Sequence, residues 1–369
     1  MASIERLLEC GQSLWLDYVD RNLVSNGGLA RLVDEGLRGV TSNPTIFHQA
    51  ITAGDAYDEA ILDLLQADHE IDAETLYEWL AIQDIQMACD VMKPVHEASE
   101  HADGFVSLEV SPHLAHDAHG TVDQARHLWR SVHRDNLMVK VPATVEGLEA
   151  IEILIAEGIN VNVTLLFAVE RYEQVFAAYT RGLEQNDHPR DVNSVASFFV
   201  SRVDSAVDPL LEQAGGKATE IRSRAAIANA RTAYQSFLRL RRGEDFAAQE
   251  RRGAKVQRPL WASTSSKDPN LSDTYYVDNL IGPDTVNTVP PKTLDAFIEH
   301  GEAHETLEDD PDQDRAILLA VADAGIDLAR ITADLEVDGV KKFADSHDAL
   351  VDALHGKMKD VTAKYASSL

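Results

Sequence analysis

Residues Leu137–Thr164 read LMVKVPATVEGLEAIEILIAEGINVNVT, and this stretch decides the fold. It reads as strand, helix, strand, the unit that parallel sheets repeat. Lys140 sits inside the first strand among apolar neighbours. The second strand, Ile159–Thr164, alternates: Ile159, Val161 and Val163 share one face, Asn160, Asn162 and Thr164 the other. Burying an ammonium costs free energy, so a lysine beside amides and a hydroxyl asks for a chemical reason. A neutral amine that attacks a carbonyl and forms a Schiff base supplies one. A lone lysine in a strand could equally sit at an edge or in an ion pair, so its neighbours must decide.

Working outward, short β-type runs recur on both sides. Before the stretch lie Ser13–Asp17 (SLWLD), Gly39–Asn43 (GVTSN, ending in Asn-Pro) and Phe105–Val110 (FVSLEV). After it come Ser194–Val200 (SVASFFV), Leu260–Thr264 (LWAST) and Thr285–Val289 (TVNTV). Helical spacing of apolar residues separates most of them, over Val145–Glu157, Ala168–Glu184, Asp204–Gln213 and Lys217–Leu240. His113–Gly120 reads as a loop and Val122–Val132 as a helix. Eight strands alternating with helices predict a single (β/α)8 TIM barrel, an α/β fold, over residues 1–369. Two further helical runs, Asp55–Gln66 and Ala73–Ala98, exceed one crossover and read as helices inserted after strand two. An N-terminal helix is expected within 1–12. Beyond the acidic linker Leu307–Gln313, Ala316–Leu328 and Ala344–Met358 read as helices, so about 303–369 should pack on the barrel.

Composition narrows the function classes. The chain has 369 residues, 44% of them hydrophobic, and a formal net charge of -29. Such a balance opposes binding to nucleic acid or anionic membranes, yet a local cation can still hold a phosphate. Cys10 and Cys89 form no C-x-x-C pair, so no disulfide framework is expected. The N-terminus carries acidic residues where a signal peptide would be basic, and no run approaches a membrane span of ~20 apolar residues. A cytoplasmic enzyme, monomer or homodimer, is the expectation.

In a barrel, residues two apart share a face, and chemistry gathers at the strands' C-terminal ends. With Lys140 inside, Ser107 and Glu109 share a face of strand three, Asn162 and Thr164 of strand five, Ser197 and Phe199 of strand six. Thr41 and Asn43 end strand two, and Asp17 ends strand one. Each has a plainer reading: Glu109 solvated, Asp17 a helix N-cap, Asn43 a turn former before proline. Together they gather a lysine, two carboxylates, amides and hydroxyls at one end. A Schiff-base aldolase uses such a set. Apolar walls favour the neutral amine, one carboxylate moves protons during imine formation, and a second takes the proton of a substrate hydroxyl as the C–C bond breaks. No metal and no other cofactor is needed.

Two other signals compete. His113, His116 and His119 form an H-x-x-H-x-x-H run, but Pro112 and Gly120 make it a loop and no carboxylate pair completes a metal spacing, so exposed histidines are expected. The arginine-rich stretch from Lys217 to Lys255 reads as a solvated helix face, since no aromatics interleave it. For a phosphate, Arg202 follows strand six in SFFVSRVDS, and Ser265 and Lys267 follow strand seven in WASTSSKDP. Each could instead be a surface residue.

These stretches together resemble transaldolase in its longer bacterial form. The resemblance runs through SLWLDYVDR, GVTSNPTIF, SLEVSP, LMVKVPAT, EGINVNVTLLF, SFFVSRVD and WASTSSKDPNLSDTYYVDNLIGPDTVNTVPP, most of the chain. It implies Lys140 as the Schiff-base lysine, Glu109 as the acid/base working through a water that Thr164 helps hold, and Asp17 as the group that handles the substrate hydroxyl. Asn43 and Asn162 match substrate-binding amides, Ser197 and Arg202 phosphate contacts, and Phe199 the lining aromatic. Thr41 joins the substrate-binding set by its face. The sequence departs at strand seven, where shorter members carry Ser-x-Arg and this chain has STSSK. Lys267 would take that place without arginine's bidentate fork. The implied reaction moves a dihydroxyacetone unit from sedoheptulose 7-phosphate to glyceraldehyde 3-phosphate, in the non-oxidative pentose phosphate pathway. The alternatives are a fructose 6-phosphate aldolase-like enzyme that releases dihydroxyacetone, and a non-catalytic barrel that binds sugar phosphates. Chain length and Glu109, where the aldolases use tyrosine, favour the transferase.

Overall fold

The computed structural model describes residues 4–365; the outermost parts of the two expected terminal segments, residues 1–3 and 366–369, lie outside the described residues. Eight parallel strands close into a barrel in sequence order: β1 (Gln12–Asp17), β2 (Gly39–Thr41), β3 (Phe105–Glu109), β4 (Leu137–Pro142), β5 (Val161–Leu166), β6 (Ser194–Phe199), β7 (Arg258–Ala262) and β8 (Thr285–Val289). β1 pairs with β8, so no edge is left open. The (β/α)8 barrel expected from the alternation is therefore present. The strands are buried on both faces, yet polar residues still alternate with apolar ones along them, Asn162 and Thr164 in β5 and Ser197 in β6.

Side-chain volume sets the barrel's lower interior. Trp15 is fully buried and lies opposite Gly39 in register. A Cβ on Gly39 would come 2.4 Å from the indole, so only glycine leaves room for that ring. Beneath it, Asp103 accepts from Ser13 Oγ at 2.6 Å and from Arg258 Nη2 at 2.8 Å, closing the N-terminal end.

Between β2 and β3 stand three helices, Pro44–Thr52, Asp58–Ala67 and Ala73–Ala98, the insertion the sequence implied. Asn43 and Asp72 cap the first and third by accepting from Ile46 N and Thr75 N, contacts of ~1 kcal/mol each.

Several local expectations are corrected. His113–Gly120 is not all loop: Pro112–Leu114 is a 3-10 turn, and a helix starts at Ala118 because Asp117 caps it through Gly120 N. Lys217–Leu240 is not one helix. A 3-10 segment, Gly216–Ile221, is cut from helix Ala225–Arg241 at Ser223, whose φ is 60° and whose N–H and hydroxyl donate to Asp208. The linker ends earlier, since Asp310 caps a helix over Pro311–Asp323. β5 begins at Val161, because Asn160 is occupied in tying neighbouring loops: its Nδ2 donates to Asp135 O and Leu137 O, and its Oδ1 accepts from Asn193 N.

The largest difference is the last helix. It runs unbroken over Leu328–Lys364, 37 residues, about 55 Å at 1.5 Å per residue. Pairs at i,i+4, Asp338–Lys342 and Lys341–Asp345, support it where apolar residues are sparse. It crosses the barrel's C-terminal end, packing on helix Pro44–Thr52, helix Ala73–Ala98 and β5. A Cβ on Gly339 would lie 2.9 Å from Leu165 Cδ2, so glycine permits the close crossing. Its far end is held by Lys357 and Lys364, both paired with Asp58.

Candidate active site

Alternation along β3 and β4 brings a carboxylate and an amine together. Glu109 and Lys140 are opposite each other in the ladder, and Lys140 Nζ lies 2.5 Å from Glu109 Oε1. Both side chains are 7% exposed. The amine also donates to Ser42 O at 2.9 Å. Burial raises the Glu109 carboxyl above its ordinary range, and the neighbouring lysine charge offsets part of that rise.

Asp17 ends β1 on the same interior. It is not the N-cap of the helix that follows; Asp20 does that, accepting from Leu23 N. Thr41 Oγ1 donates to Asp17 Oδ1 at 2.8 Å, and Thr288 Oγ1 lies 2.8 Å from Thr41 Oγ1. With its only proton on Asp17, Thr41 accepts from Thr288. Thr41 therefore orients the carboxylate from within the wall. Burial pushes Asp17 up as well, against the opposing effects of Lys140, the Thr41 hydrogen bond and Arg202.

A hydrogen-bonded chain through Asn162 crosses the interior beside the lysine. Asn162 Nδ2 donates to Ser107 Oγ at 3.0 Å, and Ser197 Oγ donates to Asn162 Oδ1 at 2.6 Å. Asn162, opposite Lys140 in register, is thus fixed from both sides. Two residues on, the β5–β6 register shifts between Val163 and Leu166, and Leu165 has a φ of 61°. Such a bulge re-aims a side chain at a strand end. Thr164 Oγ1 is buried there with no hydrogen-bond partner among the described residues, free for a water or substrate. Asn43 uses its Oδ1 to cap a helix, which leaves its amide NH2 for the cavity.

The cavity has a volume of about 210 Å3, and Asp17, Thr41, Asn43, Lys140, Thr164, Ser197, Phe199 and Arg202 all line it. Arg202 stands over the Phe199 ring, 5.0 Å from its centroid. Its Nη1 is buried and unpartnered among the described residues, and burial lowers its proton affinity. A guanidinium with an unused donor at the cavity wall suits an anionic phosphate.

Ser265 and Lys267 are not brought there. Lys267 Nζ donates to Ser265 Oγ at 2.9 Å and lines a separate cavity with Asp204, Asp208, Glu212 and Arg222. The chain turns at Ser263, φ 55°, and Thr264 bonds Asn287, which carries the loop away. Ser263 lines the main cavity instead.

Besides Ser263, three contributors escaped sequence reading. Ser42 acts through its carbonyl, for which no side chain signals. Thr288 sits in TVNTV, where either alternate face looks plausible. Phe343, from the long last helix, lines the main cavity and a smaller one beside Glu109, so it covers Lys140 from above. Its distance in sequence hid it.

A family model described as transaldolase/fructose-6-phosphate aldolase matches residues 14–354. The chain belongs to the transaldolase/fructose-6-phosphate aldolase family. A transaldolase of Parafrankia sp. (strain EAN1pec) is 48% identical over 362 residues, covering 95% of this chain and 97% of that protein. One from Thermobifida fusca (strain YX) is 46% identical over 95% and 96%. Transaldolase 2 of Nostoc sp. (strain PCC 7120) is 41% identical over 97% and 98%. The family match spans every strand that carries a transaldolase-like motif, from Asp17 to Thr288, and also most of the covering helix. Among the described residues, no helix is long and apolar enough to cross a membrane.

Proposed function

We propose that the protein is a metal-independent transaldolase that works through a Schiff base on Lys140. The observation that carries this reading is the buried Lys140–Glu109 pair, 2.5 Å apart, with Asp17 on the cavity that Lys140 lines. The amine attacks C2 of sedoheptulose 7-phosphate. Glu109, through a water beside Thr164, carries protons as the carbinolamine loses water to give the imine. Asp17 takes the C4 hydroxyl proton, the C3–C4 bond breaks, and erythrose 4-phosphate leaves. The bond's electron pair is held as the enamine of dihydroxyacetone. The enamine adds to the aldehyde of glyceraldehyde 3-phosphate, and Asp17 returns a proton to the new alkoxide. Water then releases fructose 6-phosphate and the free amine.

Asn43 and Asn162 hold the sugar hydroxyls, Ser197 and Thr41 fix their neighbours, and Arg202 receives the terminal phosphate. The chemistry fits the non-oxidative pentose phosphate pathway in the cytoplasm, with the enzyme a monomer or homodimer. The family also holds fructose 6-phosphate aldolases. The carboxylate at Glu109 and the cover that Phe343 gives the enamine favour transfer over release. Incubation with sedoheptulose 7-phosphate and glyceraldehyde 3-phosphate should give fructose 6-phosphate and erythrose 4-phosphate in equal amounts. Free dihydroxyacetone as the main product would instead make it an aldolase.

A further inference from the structure

Outside the lysine cavity, three side chains from distant parts of the chain meet at the rim. His113 lies on the turn after β3, four residues beyond Glu109; His347 and Asp348 lie on the last helix, one turn beyond Phe343. Each can place one ligand atom so that all three fall within 4.8 Å of one another. His113 Nε2 is 2.7 Å from Asp348 Oδ1, and His347 Nδ1 is 4.0 Å from the same oxygen.

A histidine–carboxylate hydrogen bond alone would account for His113 and Asp348. It leaves His347 unexplained. That side chain is 7% exposed. Its ring is held edge-on between Tyr77 and His113, with centroids 5.6 Å from each. Its Nδ1 is buried with no hydrogen-bond partner among the described residues. Buried polar atoms are nearly always satisfied, so an unsatisfied imidazole nitrogen facing a second imidazole and a carboxylate points to a missing ligand.

We propose that His113, His347 and Asp348 form a binding site for a zinc-class divalent ion, which clamps the last helix to the turn after β3. Two imidazoles and one carboxylate suit zinc, cobalt or nickel; magnesium and calcium take oxygen ligands. Bonds of 2.0–2.2 Å put donors about 3.3 Å apart in a tetrahedron. His113 and Asp348 are 50% and 62% exposed and can move to meet that spacing, while His347 stays fixed. Their exposure also gives the ion its entry path. Water would complete the coordination. The ion takes no step in the reaction proposed above; it joins the loop that follows Glu109 to the helix that carries Phe343. The H-x-x-H-x-x-H run is thereby split: only His113 takes part, and His116 pairs with Glu146 instead.

The test is calorimetric titration of the EDTA-treated full chain with zinc chloride, with magnesium chloride as control. One zinc per chain should bind at micromolar or lower concentration, and magnesium should not. His113→Ala and Asp348→Asn should each weaken zinc binding at least tenfold. Zinc should raise the melting temperature of the wild type more than that of either variant at the same zinc concentration. Both changes are at exposed positions, so the variants should fold even if His347→Gln does not. No saturable zinc uptake, or uptake unchanged in both exposed variants, would overturn the site.

Discussion

The amine of Lys140 and the carboxylate of Glu109 lie 2.5 Å apart on strands whose backbones pair at those two residues. Neither reaches the other by a flexible loop. Sheet register fixes the contact, so the spacing is set before any substrate arrives. Pre-organisation of this kind is what a proton-transfer pair needs.

Glu109 should show its role in the pH profile. Burial raises its carboxyl above the ordinary range. It must be ionised to take a proton, so activity should rise with pH along an acid limb centred above the usual glutamate value of about 4.3. Glu109→Gln should lower kcat by ~10²–10⁴-fold and abolish that limb. The same limb in the variant would show that another group is being titrated.

Asp17 carries two linked expectations. Asp17→Asn should slow C–C cleavage by ~10²–10⁴-fold while the covalent adduct still forms. It should also change stability with a defined sign. The folded-state carboxyl is raised by burial, so its contribution is fully present below the unfolded value of about 3.9 and lost as pH rises through the raised one. Relative to wild type, the variant should gain stability as pH rises above about 4, until the raised carboxyl is ionised. Urea melts across that range check it; a difference independent of pH would contradict the burial account.

Asp204 gives a sharper window away from the lysine. Burial raises it to about 7, although Ala226 N and Tyr276 Oη both donate to it. Its stabilising contribution is present below the unfolded value and lost as pH rises through about 7. Asp204→Asn should therefore compare more favourably with wild type at pH 8 than at pH 5. The change between those two pH values should be on the order of 3 kcal/mol at most. Parallel melting curves at both pH values would show that Asp204 stays ionised in the fold.

Phe343 should govern what happens to the enamine. It lines both cavities that meet Lys140, so Phe343→Ala admits water over the amine. Release of free dihydroxyacetone relative to transfer should rise about tenfold, an order-of-magnitude expectation for losing a water-excluding side chain. Product analysis with and without an acceptor aldehyde measures the ratio. An unchanged ratio would leave Phe343 a packing residue only.

The barrel and its polar interior were legible because period-2 alternation survives even in doubly buried strands: Glu109, Lys140 and Asn162 read as one face, and the ladder pairs them side by side. Asp17 could pass for a helix cap and Asn43 for a turn former before proline; it is Asn43 that caps a helix, and Asp17 that does not. The placement of Lys267 away from the main cavity was not legible, because the loop's direction turns on a left-handed residue, Ser263, that composition does not encode. The last helix misled for the opposite reason. Its sparse apolar residues look like a weak helix until Gly339 is seen against Leu165 and Phe343 over Lys140. Long-range partners of that kind leave no local pattern to read.

The central claim is a covalent bond to one lysine. Sodium borohydride added to enzyme and fructose 6-phosphate should reduce the imine and inactivate the enzyme. Peptide mass mapping should then place a single dihydroxyacetone-derived adduct on Lys140, and Lys140→Ala should form none while keeping its fold. No adduct in the wild type, or an adduct on a different lysine, would contradict the account.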